Sequence, residues 1–261
     1  MSDGPVKICI CIPSHGDWKA RFGKSLGDMM GFTQSVAAKH FGDGEFDLGI
    51  AVVGGSILPE VRTRLVADAA QWGATHILWA DTDMAFPPDA LVRLYNHGKH
   101  VCGVNYVTKD VEARPIAYVD NEEEIGPLFT EDSAEGLAEV KHTGFGLMLV
   151  TMQTFDAISL PYFHFEPVAP QNVIHKGEDV WFCRKVREEA GETVWVDQNL
   201  SKDIKHIGNW AYTHGQAITA RDTREGAYED RWKAGGAAAS FEAWLAKNSG
   251  QKNTGQNEAA E

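Results

Sequence analysis

The sequence predicts an α/β fold with a mixed, mostly parallel central sheet flanked by helices, and three observations carry that expectation. Short apolar runs alternate with helical stretches through the first 107 residues, the pattern that builds parallel sheets. The first run, Lys7-Ile8-Cys9-Ile10-Cys11-Ile12, is nearly continuous in apolar residues and is stopped by Pro13, as befits a strand buried on both faces. Asp81 and Asp83 stand directly after a third such run, at the strand end where open α/β sheets bind ligands.

The elements follow in order. A helical stretch covers about residues 19–40, and Phe46 to Val53 reads as the second strand, stopped by Gly54-Gly55-Ser56. Pro59 opens a helix whose apolar positions Val61, Leu65, Val66, Ala69 and Trp72 share one stripe, leaving Arg62 and Gln71 off it. Gly73 ends that helix. His76-Ile77-Leu78-Trp79-Ala80 is the third strand, Pro87-Pro88 start another helix through Leu91 and Leu94, and Val101 to Val107 is a further strand. Beyond it, residues 120–136 read as an acidic loop, Val140 to Val150 as one extended segment containing Gly144 and Gly146, and Pro161 to Lys176 as loop. A helix from Glu178 to Ala190, a strand at Thr193 to Val196 and the segment Lys205-His206-Ile207-Gly208 close the core.

A chain of 261 residues with 43% hydrophobic content can bury one sizeable core. The expectation is one domain over residues 1–247, with its core at about 6–210 and a helical extension over 211–247, followed by a polar, disordered tail at 248–261. The net charge of −13 repels nucleic acid, and no basic patch offsets it. No apolar stretch reaches the roughly 18 residues that would span a bilayer, and the N-terminus lacks the apolar run of a signal peptide, so the protein is expected to be soluble and cytoplasmic. Cys9, Cys11, Cys102 and Cys183 form no CxxC pair and read as reduced, structural thiols.

Three constellations can carry chemistry. Asp81-Thr82-Asp83 is the one Asp-x-Asp in the chain, and Asp83 lies too far before Pro87 to cap the next helix. Two carboxylates one residue apart beyond a buried strand suit a hard cation, which cancels their repulsion. His206 follows an apparent strand where the core ends and can fold back to that cation; a carboxylate with an imidazole suits Mn²⁺ better than Ca²⁺. Glu178-Asp179 opens an amphipathic helix with Asp179 on the face of Phe182, Cys183 and Val186. An acidic residue there serves either as a helix-terminal anion or as a general base that must stay ionised.

With these pieces in order, the chain resembles the GT-A glycosyltransferases, particularly compact bacterial and phage proteins related to glycosyltransferase family two. The resemblance spans about residues 6–210 and rests on IPSHG, LPEVRTRL, THILWADTDMAFPPDAL, VCGVNYVTK, HTGFGLMLV, GEDVWFCRKVREEAG and KHIG. It implies a single catalytic domain that moves a sugar from a nucleotide-diphosphate donor to a glycan, lipid or protein acceptor hydroxyl, with Mn²⁺ or Mg²⁺. It places Asp83 and His206 on the metal and Asp81 on donor ribose or the metal shell. Asp179 of the Glu178-Asp179 pair becomes the base. Pro13, Ser14, Arg62 and Thr82 fall beside the donor, and Gly144 and Gly146 form a wall that lets sugars approach the backbone. Two positions depart from the family pattern: Thr63 replaces an Asn, and Thr108 stands where Arg or Lys is common. Two other readings remain. A haloacid dehalogenase-type phosphatase also carries Asp-x-Asp after a strand, though its motif continues differently from Ala85. A non-catalytic sugar- or nucleotide-binding protein of the same fold could use some of the eight Trp residues for stacking.

Overall fold

The computed structural model describes residues 5–41, 46–120, 125–167 and 175–223. Its strands are β1 (Val6–Ser14), β2 (Phe46–Gly54), β3 (His76–Ala80), β4 (Met84–Ala85), β5 (Val101–Gly103), β6 (Tyr118–Asp120), β7 (Ile125–Pro127), β8 (Leu137–Val140), β9 (Leu147–Thr151), β10 (Glu166–Pro167), β11 (His175–Lys176), β12 (Val194–Asp197), β13 (Lys205–Ile207) and β14 (Ala211–Tyr212). The helices are α1 (Ala20–Ser35), α2 (Ala37–Phe41), α3 (Leu58–Trp72), α4 (Ala90–Asn96), α5 (Met152–Ala157), α6 (Glu178–Glu188), α7 (Gln198–Asp203) and α8 (His214–Thr223). The chain divides into a unit of Met1–Ile218 and a second of Thr219–Glu261. The helix expected at 237–247 and the tail at 248–261 lie outside the described residues.

Seven strands form the central sheet in the order β2-β1-β3-β9-β5-β12-β8. β2, β1 and β3 pair in parallel, as do β5 and β12, while β9 between them and β8 at the edge run antiparallel. The sheet is therefore mixed and mostly parallel, with helices on both faces. Alternation along β1 explains the layering. Ile8, Ile10 and Ile12 face a core shared with Phe22, Leu26 and Met29 of α1 and Leu91 and Leu94 of α4. Cys9 and Cys11 face a second core with Val61, Leu65, Val66 and Ala69 of α3 and Phe182, Cys183 and Val186 of α6. All four cysteines are free and buried. No helix among the described residues is long and apolar enough to cross a membrane.

Some elements differ from expectation. The first helical stretch breaks at Val36 into α1 and α2. α3 closes at Gly73, whose φ of 80° is the left-handed conformation glycine adopts freely. The segment Val140 to Val150 is not one strand: Val140 ends β8, which pairs with β12, residues 141–146 form a connection, and β9 begins at Leu147 and inserts between β3 and β5. Arg62, placed off the apolar stripe of α3, is only 2% exposed. Carboxylates and aromatic rings from other elements enclose it, and helical periodicity does not register them.

Candidate functional site

β3 ends at Ala80, and the chain turns through Asp81-Thr82-Asp83 before entering β4, which belongs to a second, three-stranded sheet ordered β14-β13-β4. Backbone bonds fix the turn at every residue. The Asp81 amide donates to the Gly146 carbonyl at 3.1 Å, Lys19 N donates to Thr82 O at 3.1 Å, and Ile207 N donates to Asp83 O at 2.7 Å. The antiparallel register sets His206 opposite Met84, one residue beyond Asp83. That register brings the imidazole to the carboxylate: His206 Nε2 lies 3.5 Å from Asp83 Oδ1.

The other ring nitrogen decides the chemistry of this pair. His206 Nδ1 is 2.7 Å from the Val107 carbonyl, which can only accept, so Nδ1 carries the proton. In the neutral ring Nε2 is then a lone pair directed at a carboxylate oxygen, an arrangement satisfied by a proton or a cation between them. Asp83 Oδ2 takes the ammonium of Lys109. Burial works against the ionised Asp83, but a proton held between it and His206 Nε2, together with the Lys109 ammonium, outweighs it and holds the carboxyl at about 2.

Beside this pair, Arg62 joins two carboxylates. Its Nη2 donates to Asp81 Oδ1 at 3.1 Å and its Nε to Glu178 Oε1 at 3.3 Å. The guanidinium carbon lies 4.5 Å from the Phe145 ring centroid and 5.3 Å from that of Trp79. Arg62 Nη1 is buried with no partner among the described residues. Glu178 is buried against Arg62, while Asp179 is partly exposed and its Oδ1 accepts from Val180 N at 2.8 Å. Burial, joined by the charge of Glu178, pushes the Asp179 carboxyl up to about 6.

Tyr106 is the floor between these groups. Its ring meets His206 edge-on at 5.3 Å, its hydroxyl accepts from Gly146 N at 3.3 Å, and the charges of Asp81 and Asp179, after burial, hold that hydroxyl well above its usual range. A Cβ on Gly144 would lie 2.1 Å from Tyr106 Oη, and one on Gly146 2.8 Å from the same ring. The room beside these glycines is thus filled by Tyr106. At the end of β1, Pro13 and Ser14 are buried, and Ser14 Oγ accepts from Gly16 N at 3.1 Å and Trp18 Nε1 at 3.3 Å.

The structure therefore brings Asp83 to His206, and Asp81 through Arg62 to Glu178. Sequence reasoning missed Lys109 and Tyr106. Both lie in the VCGVNYVTK segment, where an aromatic residue and a lysine shortly after the end of a strand were the available signal. Among the described residues no three His, Cys, Asp or Glu side chains cluster as a ready-made metal cage. A cavity of about 560 Å³ lies at the opposite end of β3, lined by His76, Tyr95, His100 and Thr151. It is remote from the two aspartates and at the strand end less used by α/β ligand sites.

Comparison with solved structures found similarity to the crystal structure of A197 from STIV, with a TM-score of 0.51 and 14% identity over 81% of this chain and 92% of that one. The chain is similar in fold to A197 from STIV. Weaker likenesses are to the catalytic domain of Drosophila beta1,4galactosyltransferase 7 in complex with xylobiose, with a TM-score of 0.44 and 16% identity over 78% of this chain and 71% of that one. Another is to an apo UDP-glucose pyrophosphorylase, with a TM-score of 0.40 and 12% identity over 87% of this chain and 99% of that one. No family model matches the chain, and no curated protein matches it in sequence.

Proposed function

We propose that this protein is a metal-dependent glycosyltransferase that moves a sugar from a nucleoside-diphosphate donor to an acceptor hydroxyl. The observation that carries the reading is the Val107–His206–Asp83 relay, in which a carbonyl-fixed imidazole turns its other nitrogen toward a carboxylate 3.5 Å away. Metal-bound histidines are oriented by this kind of outer partner. Two protein donors are few for a closed structural site, but Mg²⁺-like ions at phosphate sites take one or two carboxylates and fill the remaining positions with water and phosphate oxygens. Asp83 and His206 would hold such an ion, Mn²⁺ or Mg²⁺.

When bound, the ion supplies charge stabilisation to the departing diphosphate, a contribution of several kcal/mol. The chain's own groups do the rest. Arg62 fixes Asp81 toward the donor side. Asp179 accepts the proton of the acceptor hydroxyl as that oxygen bonds to the anomeric carbon and the bond to the diphosphate breaks. A carboxyl raised to about 6 is ionised at neutral pH yet more basic than an exposed aspartate. Glu178 acts through Arg62 as a positioning residue. Tyr106 packs the floor and keeps water from beneath the two aspartates.

The test is turnover of UDP-, GDP-, CDP- and dTDP-sugars with Mn²⁺ or Mg²⁺ against the same reactions in excess chelator. Activity confined to the metal-containing reactions is expected; full activity in chelator overturns the role given to Asp83 and His206.

A further inference from the structure

Lys109 belongs to a strap that serves the cation pair twice. Val107 bridges to Pro115, and Thr108 is bonded on both sides to Arg114, its N donating to Arg114 O at 2.9 Å and its Oγ1 accepting from Arg114 N at 3.0 Å. From this anchored segment the Val107 carbonyl holds His206, and two residues later the Lys109 ammonium reaches Asp83. The stem of Lys109 crosses Gly208, where an added Cβ would lie 3.4 Å from Lys109 Cδ. The Lys109 side chain is 38% exposed, so its head can leave Asp83 on a flexible stem without disturbing the core.

Asp83 thus has one carboxylate and two claimants. A divalent ion between Asp83 and His206 places two positive charges beside the ammonium, and like charges so close in a partly buried site repel strongly. Lys109 then has to move away. A diphosphate arriving with the ion offers new negative oxygens, so the ammonium exchanges one anionic partner for another. We propose that Lys109 is an internal counter-ion that makes cation binding at Asp83 and His206 conditional on the donor diphosphate. The inference rests on the glycosyltransferase reading and adds an order to it: the ion enters with the diphosphate, and the empty site stays neutralised against free cations.

The test is Mn²⁺ binding to the full chain, followed by the electron paramagnetic resonance signal of free Mn²⁺, with and without inorganic pyrophosphate and against protein-free blanks. Wild type is expected to bind Mn²⁺ weakly alone and at least about fivefold more tightly with pyrophosphate, the lower end of ordinary coupling between two ligands. Lys109→Met is expected to bind Mn²⁺ alone at least about fivefold more tightly than wild type and to lose most of the pyrophosphate enhancement. Lys109→Arg, which keeps the charge, should behave as wild type, and thermal melts of both variants check folding. Mn²⁺ affinity that ignores residue 109 overturns this inference while leaving the metal site standing. Failure of every protein to bind Mn²⁺ with or without pyrophosphate overturns both.

Discussion

Asp179→Asn keeps the shape of the side chain and its acceptor for the Val180 amide, and removes only the ionisation. In the folded protein the carboxyl holds its proton up to about 6, against 3.8 for an unhindered aspartate, because burial and then the charge of Glu178 oppose the anion. The sign follows from which state releases its proton first. Below about 4 both states are protonated and the group has no pH-dependent effect. As pH rises toward 6 the unfolded chain ionises first, so stability is lost progressively, and above 6 the loss is complete. A rise of roughly two pH units at 1.36 kcal/mol each gives a penalty of up to about 3 kcal/mol. The asparagine variant is free of it. Urea unfolding at pH 7.5 should therefore show Asp179→Asn more stable than wild type by up to about 3 kcal/mol, with a smaller advantage at pH 5. Transfer activity should be lost in the same variant, and wild-type activity should rise with pH to a plateau above about 6. A variant less stable than wild type at pH 7.5 would refute the reasoning, since the carboxylate would then be a paired structural anion.

Two other substitutions probe the floor of the site. Gly144→Ala drives a methyl to within 2.1 Å of Tyr106 Oη and should cost about 1–3 kcal/mol in urea unfolding, with part recovered by adding Tyr106→Phe; an unchanged midpoint would mean that Tyr106 does not fill that space. Arg62→Met strands Glu178, buried at 7% exposure, and should cost about 3–5 kcal/mol, whereas Arg62→Met with Glu178→Gln should recover most of it, as read by circular dichroism melts.

Much of this fold was legible in the sequence because its central strands are buried on both faces. Lys7 to Ile12 and His76 to Ala80 have the short, apolar, turn-bounded form of interior strands, and the polar turn at Asp81 follows from where the second run stops. What stayed hidden depends on partners far along the chain. Arg62 sits on a polar position of its own helix, yet Asp81, Glu178, Trp79 and Phe145 make it one of the most buried residues. Val140 to Val150 is uniformly apolar near its end, and nothing local shows that β8 stops at Val140 beside β12 while β9 starts only at Leu147 beside β3. Gly144 and Gly146 are expected to let sugars approach the backbone; what no spacing shows is that Tyr106, arriving from another loop, lies where a side chain on either glycine would project. Lys109 reaches Asp83 across 26 positions of sequence, a contact no spacing rule encodes. By contrast α7 was within reach: Asp197 caps it by accepting from Leu200 N, and an acidic N-cap at a strand end is a readable signal.

The most direct measurement of the central proposal is a thermal-shift panel of UDP-, GDP-, CDP- and dTDP-sugars on the wild-type chain and Asp83→Ala, each with and without Mn²⁺. Ligand at 100 times its dissociation constant stabilises by about 2.7 kcal/mol, or roughly 5–11 °C for a domain of this size. One nucleotide class should raise the wild-type melting temperature by that amount only with Mn²⁺ present, and Asp83→Ala should lose the shift. A flat wild-type response across all four donors with Mn²⁺ would contradict the assignment of Asp83 and His206 to a cation–diphosphate site.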